Sequence, residues 1–370
     1  MSLFARPAIH DEVPPSRGLR TGWTLLLLAL AAVVALSFVP APYVIQKPGP
    51  VFNTLGTVEV DGEEVPLIEA DATTYATSGS LDLLTASIVG SRATRPSWLS
   101  VVSAWFDPSM AVLPLDEVYP EGTTFQQSEE ASRIQMQNSQ KDAVAAALLQ
   151  LGYEVPSTLT VESLTAGSPA EGVVEPGDVI VAMNGIAYAD VPALREALDK
   201  HGTTSPVTLS VLRGDEQLEL EIVPALSAEA VPAPIIGVGI SVDYDFPVDV
   251  SIQLENVGGP SAGMMFALGI IDTLTPGEAT GGEDIAGTGT IDRDGTVGAI
   301  GGIRQKLYGA LDAGAEWFLA PASNCDEVVG HVPDGLTVFS VSTLEEALDA
   351  VEAIGEGDTT GLRGCEIAAR

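Results

Sequence analysis

Ser261 lies in the run Gly258-Gly259-Pro260-Ser261-Ala262-Gly263, where small residues lead from extended chain into the apolar stretch Met264–Leu274. A hydroxyl at such a junction has little side-chain bulk around it. The backbone N–H groups of Gly259, Ser261 and Ala262 stand where they could stabilise a developing oxyanion, so this is a nucleophile position. The run is not the GxSxG elbow, and no histidine accompanies it: His10, His201 and His331 belong to segments without a ligand or base pattern. Lysine is the other available base, because burial in apolar surroundings lowers its pKa until the free amine accepts a hydroxyl proton. The chain has four lysines, Lys47, Lys141, Lys200 and Lys306. Lys306 stands out, following Ile300-Gly301-Gly302-Ile303-Arg304-Gln305 on the first turns of a predicted helix, 45 residues beyond Ser261. Taken singly, Ser261 also reads as a small residue in a Gly-rich turn and Lys306 as a solvated helix residue.

The elements that must position this pair are visible around it. A strand at Val248–Leu254 precedes Ser261 and the apolar helix follows it. A hairpin, Ile285–Ile291 and Thr296–Ile300 across Asp292-Arg293-Asp294-Gly295, delivers the chain to the Lys306 helix. Upstream, Val58–Val60 and Glu64–Ile68 read as strands about Asp61-Gly62, Ser80–Val89 as a longer buried strand, and Glu129–Leu151 as a helix with Gly152 at its C-cap. Residues 155–225 carry a self-contained pattern: a strand at Thr158–Leu164, then GSPAEG, PGDVIVAMNG, an amphipathic helix Val191–His201, and a hairpin across Arg213-Gly214-Asp215. Ala225–Pro234 reads as a linker, and Ile236–Val242 as a strand of the globular segment beyond it. The fold class is α+β.

The arrangement GSPAEG…PGDVIVAMNG…helix…VTLSVLRG resembles a PDZ domain of bacterial membrane and periplasmic proteases, which implies a β-rich module whose groove accepts an extended peptide as an added strand. The run GGPSAGMMFALGIIDTL…DIAGTGTIDRDGTVGAIGGIRQKLYGALDAG is similar to the proteolytic domain of Lon peptidases. That resemblance implies Ser261 as nucleophile, Lys306 as general base and Thr288 as the threonine whose hydroxyl orients the lysine. It also divides the chain into a first part of the protease domain over 55–153, an inserted PDZ domain over 154–226 and the catalytic part over 235–354. Lon proteins commonly carry an acidic residue just before GPSAG, a position held here by Gly258. Full-length Lon chains carry an ATPase, whereas this chain has no GxxxxGK[ST] loop, so ATP-independent cleavage is expected.

Thr21–Val39 is a 19-residue run without charge, nearly long enough as a helix to cross a hydrocarbon core of about 30 Å. Arg6, Arg17 and Arg20 precede it and Lys47 is the first cation after it, so the positive-inside bias makes 1–20 a cytoplasmic tail, 21–40 a membrane anchor and the remainder extracytoplasmic. A cleaved signal peptide is the competing reading. Pro40–Pro50 reads as an extended stalk over 41–54, and 355–370 as a loose tail unless Cys365 pins it. Trp98, Trp105 and Phe106 read either as lipid or partner contacts or as the packing of a loop. Cys325 and Cys365 either close a disulfide in an oxidising exterior or remain two thiols. With 51 Asp+Glu against 16 Lys+Arg and a formal charge of −35, nucleic acid is excluded as a partner. No cofactor or metal is called for, substrates would be proteins or peptides, and a homo-oligomer is open. The whole reads as a membrane-anchored, PDZ-containing Lon-like serine peptidase, with a non-catalytic anchored PDZ scaffold as the rival.

Overall fold

A computed structural model describes residues 17–60, 62–119, 125–227, 232–254 and 257–366. Most of the expected cytoplasmic tail, four residues of the 225–234 linker and the last four of the tail lie outside the described residues. Along the chain run α1 (Arg17–Phe38), β1 (Tyr43–Asn53), β2 (Thr57–Val60), β3 (Glu63–Pro66), β4 (Ile68–Ala70), β5 (Ser80–Val89), α2 (Trp98–Trp105), β6 (Ala111–Pro114), α3 (Leu115–Val118) and α4 (Phe125–Gln150). Next come β7 (Ser157–Leu164), β8 (Val179–Met183), α5 (Val191–His201), β9 (Val207–Arg213), β10 (Glu216–Ile222), β11 (Ala225–Leu226), β12 (Pro234–Ile235), β13 (Val238–Tyr244) and β14 (Val250–Ile252). The last part holds α6 (Gly263–Leu274), β15 (Asp284–Gly287), β16 (Thr290–Ile291), β17 (Val297–Gly298), α7 (Ile303–Ala313), β18 (Trp317–Pro321), α8 (Cys325–Val328), β19 (Thr337–Val341) and α9 (Leu344–Gly355). The chain forms two compact units, 1–48 with 86–128, and 49–85 with 129–370.

In the smaller unit, α1 carries an 18-residue window, Thr21–Phe38, of mean hydropathy 2.1 and without buried residues, long and apolar enough to cross a membrane. Tyr43–Gln46 pair antiparallel with β6. The expected stalk is therefore corrected: Ala41 and Val44 are fully buried and the segment is a strand. The consecutive residues Tyr43, Val44 and Ile45 have high strand propensity and apolar surface to bury on both sides, which outweighs the prolines that follow. Helix α2 starts at Ser97, whose side chain accepts from Ser100 N, and buries Val101 and Ala104.

The larger unit has three cores, two on the faces of one sheet and one on a second sheet. Strand β15 lies between β5 and β18, parallel to both, and β18 pairs in parallel with β19. Alternation along these strands sends Leu81, Leu83, Ile285 and Leu319 to a core shared with α4, α6 and α9. It sends Leu84, Ala286, Phe318 and Ala320 to a core with α7. The second sheet, in the order β10-β9-β8-β7-β13, packs on α5 through Leu159, Val161, Leu194, Leu198 and Leu209. Asp178 of the PGD turn is buried and receives a bidentate fork from Arg213, at 2.7 and 2.8 Å, which holds its carboxyl below the usual range.

Two sequence expectations are corrected here. Val238–Tyr244, read as part of the catalytic half, pairs antiparallel with β7 and completes the PDZ-like sheet, because its apolar alternation fits the open edge of that sheet. The hairpin expected over Ile285–Ile291 and Thr296–Ile300 is split: Asp284–Gly287 joins the central sheet, and only Thr290-Ile291 pairs with Val297-Gly298. Strands β5 and β15 are neighbours in one sheet although the whole second sheet lies between them in sequence.

Candidate active site

The nucleophile turn is held from two sides. Helix α6 starts at Gly263, directly after Ser261 and Ala262, because the eleven residues Met264–Leu274 contain one charge and bury almost entirely. From the sheet side, the Ser261 carbonyl accepts from Gly289 N at 3.0 Å and from Thr288 Oγ1 at 2.9 Å, while Met264 N donates to the Gly289 carbonyl. From the other side, α4 contributes Ser139 Oγ, donating to the Pro260 carbonyl at 2.9 Å, and the Ser132 carbonyl, accepting from Gly259 N at 2.9 Å.

Lys306 reaches this turn from α7. Gly302, the N-cap, has φ +72°, which a Cβ would strain, and it lets the chain turn sharply from Ile300 into the helix. The helix buries Ile303, Lys306, Leu307 and Ala310, a single stripe at i, i+3, i+4 and i+7. Lys306 is 2 % exposed, and its Nζ lies 2.6 Å from Ser261 Oγ and 2.8 Å from Thr288 Oγ1. Burial pushes the amine down to about 7. A neutral amine in hydrogen-bond contact with a serine hydroxyl can accept its proton. The structure thus brings Ser261, Lys306 and Thr288 together.

It separates the three expected oxyanion donors. Gly259 N is engaged by Ser132, whereas the N–H groups of Ser261 and Ala262 make no hydrogen bond among the described residues. Gly259 is therefore removed from the donor set, for a reason no local sequence pattern carries: its partner is a carbonyl 127 positions upstream.

The same helix explains Gly258. A Cβ at this position would meet Ser132 Cβ at 2.7 Å, so the space an acidic side chain would occupy is filled by α4. Gly258→Ala is expected to destabilise the protein by about 1–3 kcal/mol, as overpacking does, and Ser132→Gly in the same chain to recover most of it. Thermal denaturation of the single and double variants checks this.

Asn324 is a residue that sequence reasoning missed. Its buried side chain accepts from Ile300 N and donates to Ile300 O, both at 2.9 Å, fixing the backbone two residues before the cap of the Lys306 helix. The next residue, Cys325, is joined to Cys365 by a disulfide, and Ser340 N donates to the Arg363 carbonyl, so 363–365 is pinned rather than loose. The signal available in the sequence was an Asn beside one of two cysteines. Asn324→Ala leaves both Ile300 groups unpaired, and a loss of about 1–3 kcal/mol in denaturant unfolding is expected. Asn324→Asp, which sets a buried carboxylate oxygen against the Ile300 carbonyl and the Glu327 carboxylate, should cost at least as much.

This geometry has counterparts in known families. Residues 254–353 match the Lon protease (S16) C-terminal proteolytic domain, and residues 130–223 match a PDZ domain. These two matches identify a Lon-type proteolytic domain and a PDZ domain in one mixed α/β chain. Among curated relatives, Lon protease 1 of Bacillus subtilis is 30% identical over 193 residues, 48% of this chain and 24% of its own length. Lon protease 2 of Herpetosiphon aurantiacus is 34% identical over 167 residues, 43% and 20% of the two chains. Lon protease 1 of Sorangium cellulosum is 41% identical over 93 residues, 24% and 11%. The chain therefore spans no more than about a quarter of these relatives' length. A solved PDZ domain of an SdrC-like protein from Listeria monocytogenes covers 22% of this chain and 85% of its own at 21% identity, with a TM-score of 0.21.

Proposed function

We propose that this protein is a serine endopeptidase working through a Ser261–Lys306 dyad. The observation that carries the reading is the 2.6 Å contact between Ser261 Oγ and the Nζ of a lysine whose amine burial pushes down to about 7, so that the neutral form is well populated near neutral pH. Lys306 takes the hydroxyl proton as Oγ attacks the scissile carbonyl carbon. The oxyanion of the tetrahedral adduct faces the free N–H groups of Ser261 and Ala262. Collapse breaks the C–N bond, the leaving amine takes the proton from Lys306, and an acyl ester remains on Ser261. Water, losing its proton to the same amine, releases the acid and restores the hydroxyl. Thr288 acts on Nζ rather than on substrate: its hydroxyl ties the amine to the Ser261 carbonyl and keeps it aimed at Oγ.

The PDZ domain assists by binding substrate as an extended strand, and its insertion within the protease domain keeps that groove on the same compact unit as the dyad. Helix α1 anchors the chain in the cytoplasmic membrane, N-terminus inside, so the substrates are exported or membrane-associated proteins. Cleavage is ATP-independent, since the chain matches the proteolytic part of Lon and carries no phosphate-binding loop. The test is covalent labelling of the full chain by a fluorophosphonate, which phosphonylates an activated serine with loss of fluoride: labelling of wild type, with none of Ser261→Ala, is expected. Equal labelling of the two would leave a PDZ scaffold as the better reading.

A further inference from the structure

We propose that α2 is an interfacial helix, lying in the headgroup region of the phospholipid bilayer that α1 crosses, with its Leu99–Phe106 face against lipid. The inference rests on the anchor reading of α1 and adds a second contact to it. Three independent observations lead there.

The first is a tether. Trp98 N donates to the Val39 carbonyl at 3.1 Å, Ala41 N donates to the Pro96 carbonyl at 2.8 Å, and Pro40 bridges to Ser97. The apolar window of α1 ends at Phe38, and its 18 residues at about 1.5 Å each cover roughly the hydrocarbon thickness. Val39 therefore marks the depth where the span ends, and α2 begins at that depth.

The second is the face α2 leaves open. Val101 and Ala104 point inward and are buried, while Leu99, Trp105 (57 % exposed) and Phe106 (86 %) are not, and Phe38 at the end of α1 is 82 % exposed. From Ser97 to Phe106 the chain has no charge. The Tyr43 ring meets Trp98 and Trp105 edge-on, with centroids 5.7 and 6.4 Å away, so three amphipathic rings gather of the kind that favours the membrane–water boundary.

The third is charge. In a chain with 51 acidic residues, none occurs over 13–58 or over 83–106, and these stretches supply α1, Tyr43 and α2. Arg92 and Arg95 stand just before α2, Arg92 paired with Asp116 and Arg95 exposed. An anionic lipid surface repels most of this molecule but not this part of it.

The experiment places the full wild-type chain in nanodiscs of phosphatidylcholine and phosphatidylglycerol and irradiates a diazirine-bearing phospholipid, then maps the label by peptide mass. Label on both α1 and 97–106 is expected. Label on α1 alone overturns the interfacial helix and leaves the anchor. Label on neither overturns both readings. As a second readout, Trp23→Phe and Trp317→Phe leave Trp98 and Trp105 as reporters. Lipids brominated near the headgroup should quench them at least twofold, and adding Trp105→Phe should remove most of that quenching. Unchanged emission would count against the proposal.

Discussion

Ser261→Ala and Lys306→Met are each expected to lower the hydrolysis of an unfolded protein substrate by about 10³-fold or more, with the fold retained. The two groups act in one proton transfer, so the double variant should be scarcely worse than either single one. Methionine is the informative replacement for lysine, since it keeps an unbranched chain in the apolar site and removes only the amine. Lys306→Arg, which keeps a cation but cannot lose its proton, should be as inactive as methionine. Activity within tenfold of wild type in any of these variants would exclude the dyad. Circular dichroism and thermal denaturation on the same samples separate lost chemistry from lost fold. Lys306→Met should match or exceed wild type in stability near pH 6, where the native amine must be buried carrying its charge.

The pH profile should report the same amine. With Lys306 pushed down to about 7, the rate should climb about tenfold per pH unit below pH 7 and level off above it, because only the neutral amine accepts the proton. A rate flat between about pH 5 and 9 would count against lysine as base. Stability carries a linked signature of known sign. In the unfolded chain the amine returns to its ordinary 10.5, so between about 7 and 10.5 the unfolded state holds a proton that the native state lacks. Stability must then rise with pH across this window, and below it the buried ammonium is a standing cost. Every other titrating group is common to both proteins, so subtracting the urea-unfolding profile of Lys306→Met should isolate the slope. An identical slope in the two proteins would mean that the native amine titrates near its ordinary value.

The candidate site was legible because its parts are local. A serine in a small-residue turn before an apolar helix, and a lysine one turn into a helix after paired glycines, are patterns in which backbone conformation dictates composition over a few residues. The module around PGDV was legible for the same reason, its Gly-Asp and Asn-Gly turns being short-range necessities. Long-range partnerships left no such mark. The sequence contains Ser132, Ser139 and Asn324 without any sign that they hold Gly259, Pro260 and Ile300, because a buried carbonyl accepts from, and a buried N–H donates to, any partner of suitable geometry from anywhere in the chain. For that reason Gly259 looked like an oxyanion donor and Gly258 like an unexplained loss.

Strand assignment divided along the same line. Residue type and pattern identified strands at Ser80–Val89 and Ile236–Val242, the second found at Val238–Tyr244, but could not say which sheet each would join, since a strand edge pairs by backbone groups that every residue carries. Residue types and their local spacing thus determined by themselves the chemistry this protein could do: a hydroxyl, a lysine amine and a candidate peptide-binding module. Only the tertiary structure decided that the lysine is buried enough to lose its proton near neutrality, and which N–H groups beside the serine stay free. Desolvation and hydrogen-bond occupancy depend on what the rest of the chain packs around a group, and those neighbours lie tens to hundreds of residues away.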